Sequence, residues 1–199
     1  MMHPSIVSST SAICLVGGAP VADAVFAVVS PYVAGFVGVD GGADHLLAGG
    51  IAPMAVIGDL DSVSAQARAA FAGCLWHIPE QDTTDFEKAL TRVTAPFVIA
   101  LGFTGGRMDH ALSVLNVMAR MPDRGVFLVD ADDVSYLAPQ GDSLLDLPAG
   151  TRVSLMPLGD VRASAAGLAW PFTDWALHPV GRNSASNMAT GGAVRISAQ

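Results

Sequence analysis

The first 120 residues keep one rhythm that leaves few folds open: a short apolar run, a Gly- or Asp-rich turn, then a stretch with helical periodicity. "AICLVGG" leads into "APVADAVFAVVS", "GFVGVDGGA" into "DHLLAGG", and "MAVIGDLDS" into "SAQARAAFAG". "LWHIPEQD" then precedes "TTDFEKALTRV", and "FVIALGFTGG" precedes "RMDHALSVLNVMAR". Continuous apolar runs belong to strands covered on both faces, and strands separated by helices pair in parallel. The expectation is an α/β domain built on a parallel, Rossmann-like sheet. Thr84 followed by Glu87 fits a capping box, and Leu112, Leu115, Val117 and Met118 supply an apolar helical face.

After "MPDRG" (121–125) the texture changes. "GVFLVD", "VSYLAP", "SLLDLP", "RVSLMPLG", "GLAWPF" and "AVRIS" are short runs separated by Pro, Gly and Asp, with little helical periodicity. This pattern predicts an all-β sandwich. The sequence therefore divides into an α/β domain over residues 1–122 and a β domain over 123–199. No internal repeat or low-complexity tract interrupts it.

Charge and hydropathy exclude several classes of function. Ten basic residues against eighteen acidic ones give a net charge of −8 without a basic cluster, so a phosphate-neutralising nucleic-acid surface is not expected. A small cationic substrate suits such a field. Mean hydropathy is positive (+0.47), but the uncharged run Ala24 to Val39 is short and broken by Pro31, Gly35 and Gly38, which does not suit a spanning helix. The first Lys or Arg is Arg68, so no charged leader region is expected. Cys14 and Cys74 stand outside any metal or redox spacing and read as buried thiols of a reducing cytoplasm.

In open α/β sheets ligands collect at the carboxyl ends of the strands. Four such ends carry both acids and glycines or hydroxyls: Asp40-Gly41-Gly42, Gly58-Asp59-Leu60-Asp61, Gln81-Asp82-Thr83-Thr84-Asp85, and Gly105-Gly106-Arg107-Met108-Asp109. In extended backbone, residues two apart share a face, so Asp59 and Asp61 can point together at a hard cation; the alternative is a turn followed by a Ser62 or Ser64 cap. Asp82, Thr83 and Thr84 are all good helix caps, and Asp85 is an additional candidate metal ligand. In "GFTGGRMDH" the glycines allow backbone to approach a phosphate and Arg107 can fork onto its oxygens, without the Lys-Ser/Thr pair of a Walker loop. GxSxG and HExxH are absent, which sets aside hydrolase triads and zinc peptidases. In the β domain Trp170 reads as core and the "NSASN" cluster as loop, unless they lie beside a ligand.

"DGGAD", "GDLDS", "QDTTDFEKAL", "LGFTGGRMDH", "GLAWPF" and "SASN", in this order from about residue 13 to the C-terminus, resemble the thiamine pyrophosphokinase family. The resemblance implies an α/β catalytic domain followed by a β-sandwich, transfer of pyrophosphate from ATP to thiamine with release of AMP, and a cytoplasmic homodimer with active sites at the interface. It implies that Asp59, Asp61 and Asp85 hold Mg²⁺, supported by Asp40 and Asp109. Gly41, Gly42, Thr84, Gly105, Gly106 and Arg107 would meet the nucleotide. Gln81 would lie near thiamine, Trp170 would pack on its rings, and Ser184, Ser186 and Asn187 would hydrogen-bond it. Many bacterial members carry Lys where this chain has Gln81, so a positive charge near the phosphates is expected to be missing. Two rival functions use the same features: a metal-dependent nucleotide-sugar transferase, and a non-catalytic thiamine- or nucleotide-binding protein.

Overall fold

The protein is described here by a computed structural model covering residues 4–199. It forms two compact units, the first ending at Leu137 and the second running Ala138–Gln199.

The first unit has strands β1 (Val7–Ser8), β2 (Ile13–Val16), β3 (Phe36–Val39), β4 (Ala55–Gly58), β5 (Leu75–His77), β6 (Val93–Thr94), β7 (Val98–Leu101), β8 (Val126–Val129) and β9 (Val134–Tyr136). Its helices are α1 (Asp23–Val29), α2 (Gly42–Ala48), α3 (Ala65–Ala70), α4 (Asp85–Leu90) and α5 (Met108–Arg120). Seven strands make one sheet in the order β5-β4-β3-β2-β7-β8-β9. All neighbours are parallel except β9, which returns antiparallel to β8. β1 and β6 form a separate short parallel pair.

Strand β2 explains the apolar runs. Ile13 and Leu15 pack on one face with Phe86, Leu90, Val114 and Val117, while Cys14 and Val16 pack on the other with Phe26, Phe36 and Leu46. Alternation sends successive side chains to opposite faces, and here both faces are covered. Cys14 is wholly buried, which pushes its thiol pKa far up.

The chain steps outward from β2 through β5 and then returns, placing β7 on the other side of β2. Strand order therefore reverses between β2 and β7, the place where α/β sheets gather ligands. Close approach at these strand ends requires glycine. A Cβ on Gly42, the first residue of α2, would lie 1.7 Å from the Val16 carbonyl oxygen, so any side chain there displaces α2 from the end of β2.

The expected boundary at 122/123 moves. "GVFLVD" and "VSYLAP" are β8 and β9, and they extend the first sheet. α5 is thus one more crossover helix. The antiparallel turn from β8 to β9 ends the parallel pattern without ending the unit.

The second unit has strands β10 (Gly141–Leu147), β11 (Arg152–Leu155), β12 (Val161–Ala166), β13 (Phe172–Leu177), β14 (Ser184–Met188) and β15 (Gly192–Ala198). Four make an antiparallel sheet in the order β10-β15-β12-β13, and β11 pairs antiparallel with β14. Val153 of β11 shares a core with Ala163, Ala165, Phe172, Leu177, Val194 and Ile196 of the larger sheet. The Ser/Asn cluster expected in a loop is strand β14.

Candidate active site

Adjacent parallel strands bring the residues just beyond their ends together. β3 and β4 pair through Val39 and Ile57, and the Asp40 N–H donates to the Ile57 carbonyl at 3.0 Å. Asp40 and Asp59 therefore emerge side by side. One carboxylate oxygen from each of Asp40, Asp59 and Asp61 falls within 4.8 Å of the other two. Two residues here hold left-handed backbone without being glycine, Asp40 (φ 45°) and Leu60 (φ 66°), a conformation that surrounding contacts must enforce. Leu60 supplies those contacts: it packs with Ala43, Val56, Val63 and Ala67, so the residue between the two aspartates anchors the turn in the core. Arg68 donates to the carbonyls of Leu60 and Val63, and Ser64 caps α3 by accepting from the Ala67 N–H at 3.1 Å. Both the turn-and-cap reading and the paired carboxylates are thus present in one segment.

The carboxylates differ in environment. Asp40 is largely buried, and burial pushes its pKa above the ordinary range. Asp59 accepts from the Gln81 amide at 2.9 Å, a bond that favours the ionised form and holds its pKa low. Gln81, expected near thiamine, is thus placed against an acid of the cluster. We expect Gln81→Ala to raise the Asp59 pKa toward its ordinary value, read by carbon-13 NMR titration of the side-chain carboxyl; an unchanged value would remove the role assigned to this amide.

The segment before α4 completes the group. Thr84 caps the helix, accepting from the Glu87 N–H at 3.3 Å. The expected capping box is only half made, because the Glu87 carboxylate pairs with Arg120 instead of reaching back. Asp85 Oδ1 accepts from the Asp59 N–H at 3.2 Å and from Lys88 Nζ at 3.0 Å. Lys88 also lies 3.9 Å from Asp59 Oδ2 and is only 1% exposed. Sequence reasoning did not place Lys88 at the cluster, yet its ammonium lies against Asp85 and Asp59. Glu80 was also passed over; it accepts from the N–H groups of Asp82 and Thr83 and fixes the turn. Gly58 makes the convergence possible, since a Cβ there would lie 3.0 Å from Asp40 Cβ and 3.2 Å from Asp85 Oδ1.

The remaining candidates of this unit fall outside the three converging carboxylates, although Gly41 lies against Ser62 beside them. Gly41 and Gly42 open α2, and Gly105 and Gly106 precede α5. Arg107 forks onto Asp109 with bonds of 3.1 and 2.6 Å, and both side chains are exposed. The guanidinium lowers the Asp109 pKa to about 2. Asp109 is thus paired with Arg107 and is not among the three converging carboxylates. A cleft of about 190 Å³ lies where strand order reverses, lined by Val21, Gly102, Thr104, Gly105 and Asp130 among others.

In the second unit Trp170 is 62% exposed, so it is not the core residue that a lone Trp usually is. Asn187 is buried and fixes it: the side-chain oxygen accepts from the Trp170 N–H at 3.2 Å, and the amide donates to the Trp170 carbonyl at 2.8 Å. The Asn187 amide also approaches Ser184 Oγ at 3.5 Å. Ser186 is exposed, with φ 57°, and its N–H donates to Ser154. Trp170, Ser184 and Asn187 thus form one local group, with Asn187 holding the backbone of the exposed indole.

Three carboxylates at neighbouring strand ends of a parallel sheet, followed in the chain by an antiparallel β unit with a presented Trp, define a two-unit α/β-plus-β protein with an acidic cluster at the strand ends of its first unit. Residues 33–128 match the thiamin pyrophosphokinase catalytic domain, and residues 143–199 match the thiamin pyrophosphokinase vitamin B1 binding domain. Between them these cover most of the sequence, and the chain belongs to the thiamin pyrophosphokinase family.

Similar proteins agree. Thiamine pyrophosphokinase 1 of Oryza sativa subsp. japonica is 27% identical over 163 residues, covering 72% of this chain and 62% of that protein. Thiamine pyrophosphokinase of Bacillus subtilis is 30% identical over 135 residues, 63% of each chain. The match spans about three-fifths of the length of these curated relatives. Among solved structures, thiamin pyrophosphokinase from Candida albicans superposes with a TM-score of 0.83 at 15% identity, covering 98% of this chain and 90% of that one. The Geobacillus thermodenitrificans structure gives 0.72 at 26% identity, covering 94% and 97%.

Proposed function

We propose that this protein is a thiamine diphosphokinase, transferring pyrophosphate from ATP to the hydroxyl of thiamine and releasing AMP. The observation that carries the reading is the convergence of Asp40, Asp59 and Asp61 within 4.8 Å at two neighbouring strand ends, inside the segment that matches the family's catalytic domain. Three hard oxygen donors on a partly solvated turn fit Mg²⁺, which takes one or two carboxylates and keeps room for water and phosphate. When bound, the ion neutralises phosphate charge, the main demand of phosphoryl-type transfer.

The roles of the chain's own residues follow from their surroundings. Asp59 and Asp61 would hold the ion, with Asp40 as a third donor. Asp85 stands one contact back, tying the Asp59 backbone to α4. Arg107 exchanges its exposed partner Asp109 for phosphate oxygens, and Gly105 and Gly106 leave the backbone open to them. Asp109 then serves as the group that parks Arg107 in the free protein. In the second unit Trp170 offers a ring face to the thiazolium and pyrimidine, with Asn187, Ser184 and Ser186 setting and flanking it. The negative net charge favours a cationic substrate.

We read the two units as a Rossmann-like domain and a β-sandwich, and the assembly as a cytoplasmic homodimer with active sites at the interface. Among the described residues no helix is long and apolar enough to cross a membrane. Product analysis after incubation with ATP, Mg²⁺ and thiamine tests the function. Thiamine diphosphate with AMP is the expected result. Release of a nucleoside diphosphate only when a nucleotide sugar is supplied would support a glycosyltransferase, and absence of any product would leave a binding protein.

A further inference from the structure

Lys88 is the one lysine in 199 residues, and it is spent in a buried position. It lies on α4 between the buried side chains of Phe86, Ala89 and Leu90. An exposed pair at this i, i+3 spacing contributes little. A buried lysine is different, because an ammonium removed from water is strongly unfavourable unless a carboxylate meets it. The nearest acids are two members of the candidate site: Asp85 at 3.0 Å and Asp59 at 3.9 Å. Glu87, the other acid of α4, is taken by Arg120.

We propose that Lys88 is the resident counter-ion of the carboxylate site: it holds Asp59 and Asp85 in position and keeps the free site from taking up a divalent cation tightly before nucleotide arrives. This rests on the reading of Asp40, Asp59 and Asp61 as the metal-holding group. Asp59 and Asp85 meet this ammonium, and Asp40 and Asp61 crowd against Asp59, so without Lys88 the site is a deep well for any dication and a barrier to a triphosphate. With Lys88 in place both effects are reduced. Unit charges about 4 Å apart in protein interact by several times the thermal energy. Loss of the ammonium should therefore tighten binding of a lone dication by at least about tenfold and weaken binding of nucleotide phosphates, two changes of opposite sign. A purely structural lysine predicts the reverse for the metal, since a loosened site binds it less well. Lys88 acts here through Asp59 and Asp85 and is a positioning residue.

The test measures Mn²⁺ binding by electron paramagnetic resonance on the full chain without nucleotide, for wild type, Lys88→Met, Lys88→Arg and Asp59→Asn, with thermal melts to establish folding. The expected result is Mn²⁺ binding at least about tenfold tighter in Lys88→Met, a higher KM for ATP, and Lys88→Arg within about threefold of wild type on both, because it keeps the charge. Equal or weaker Mn²⁺ binding by folded Lys88→Met overturns the proposal. Should Lys88→Met fail to fold, Lys88→Gln carries the same expectation; if neither neutral variant folds while Lys88→Arg does, the charge serves the fold alone and the proposal falls. Failure of the underlying metal reading appears separately, as Mn²⁺ binding that Asp59→Asn leaves unchanged.

Discussion

Asp59→Asn should lower turnover by about 10²–10³-fold, equivalent to about 3–4 kcal/mol of lost transition-state stabilisation, the scale seen when one preorganised electrostatic contact is removed. Its melting temperature should fall only slightly, because the buried Lys88 and the Gln81 amide lose the Asp59 charge while Lys88 keeps its closer partner Asp85. Asparagine keeps the shape and can still accept from the Asp61 N–H, so the turn survives. Asp123→Asn, in an exposed turn after α5, is a suitable control and should leave turnover within about twofold of wild type. Asp44 is not a neutral control, although it sits on a neighbouring helix away from the cluster. It accepts from the Ser64 N–H at 3.1 Å and from the Ser64 hydroxyl, and so helps fix the turn that carries Asp59 and Asp61. Near-normal turnover of Asp59→Asn would remove this residue from the catalytic group.

Phe86→Ala should cost about 3–5 kcal/mol of folding stability, the range for truncating a buried aromatic. Phe86 is 3% exposed and meets Phe103 edge-on, with ring centroids 4.8 Å apart. It packs in the core on the face of the sheet covered by α4 and α5. It also follows Asp85 directly, so the cavity opens under the helix turn that presents both Asp85 and Lys88. Denaturant unfolding measures the loss, and a change below about 1 kcal/mol would show that α4 is not anchored through this ring.

Much of the first unit was legible because its signals are local. Four-residue apolar runs marked β2, β3, β4 and β7, and Thr84 and Ser64 sit at the caps that their spacing to the following helices indicates. Asp59 and Asp61 were legible as a pair, but the extended backbone expected between them is absent: Leu60 holds a left-handed conformation (φ 66°), and a turn beyond β4 brings the two carboxylates together. What was not legible depends on contacts across the chain. Lys88 in "DFEKAL" has the spacing of an ordinary solvated pair with Asp85, and only the packing of α4 against the sheet shows that it is buried. Asp40 joins Asp59 because β3 and β4 are neighbours, which no local pattern states. Asp109 has acid-and-glycine surroundings like the others, yet Arg107, two residues before it, takes its carboxylate.

The second unit was harder to read in detail. "SASN" has the composition of a loop, but Ser184–Met188 pairs with Arg152–Leu155 as a strand, and the Asn187 side chain hydrogen-bonds the backbone at Trp170 rather than pointing free. β8 was assigned past the boundary because helical periodicity stops after α5. Its parallel pairing with β7 is a long-range fact.

ATP carrying a radioactive label at its β-phosphate tests the central claim most directly. Incubated with the protein, Mg²⁺ and thiamine, it should pass the label into thiamine diphosphate, with one unlabelled AMP released for each thiamine consumed. Label retained in ADP, formed in step with loss of thiamine, would show cleavage between the β- and γ-phosphates and contradict pyrophosphoryl transfer.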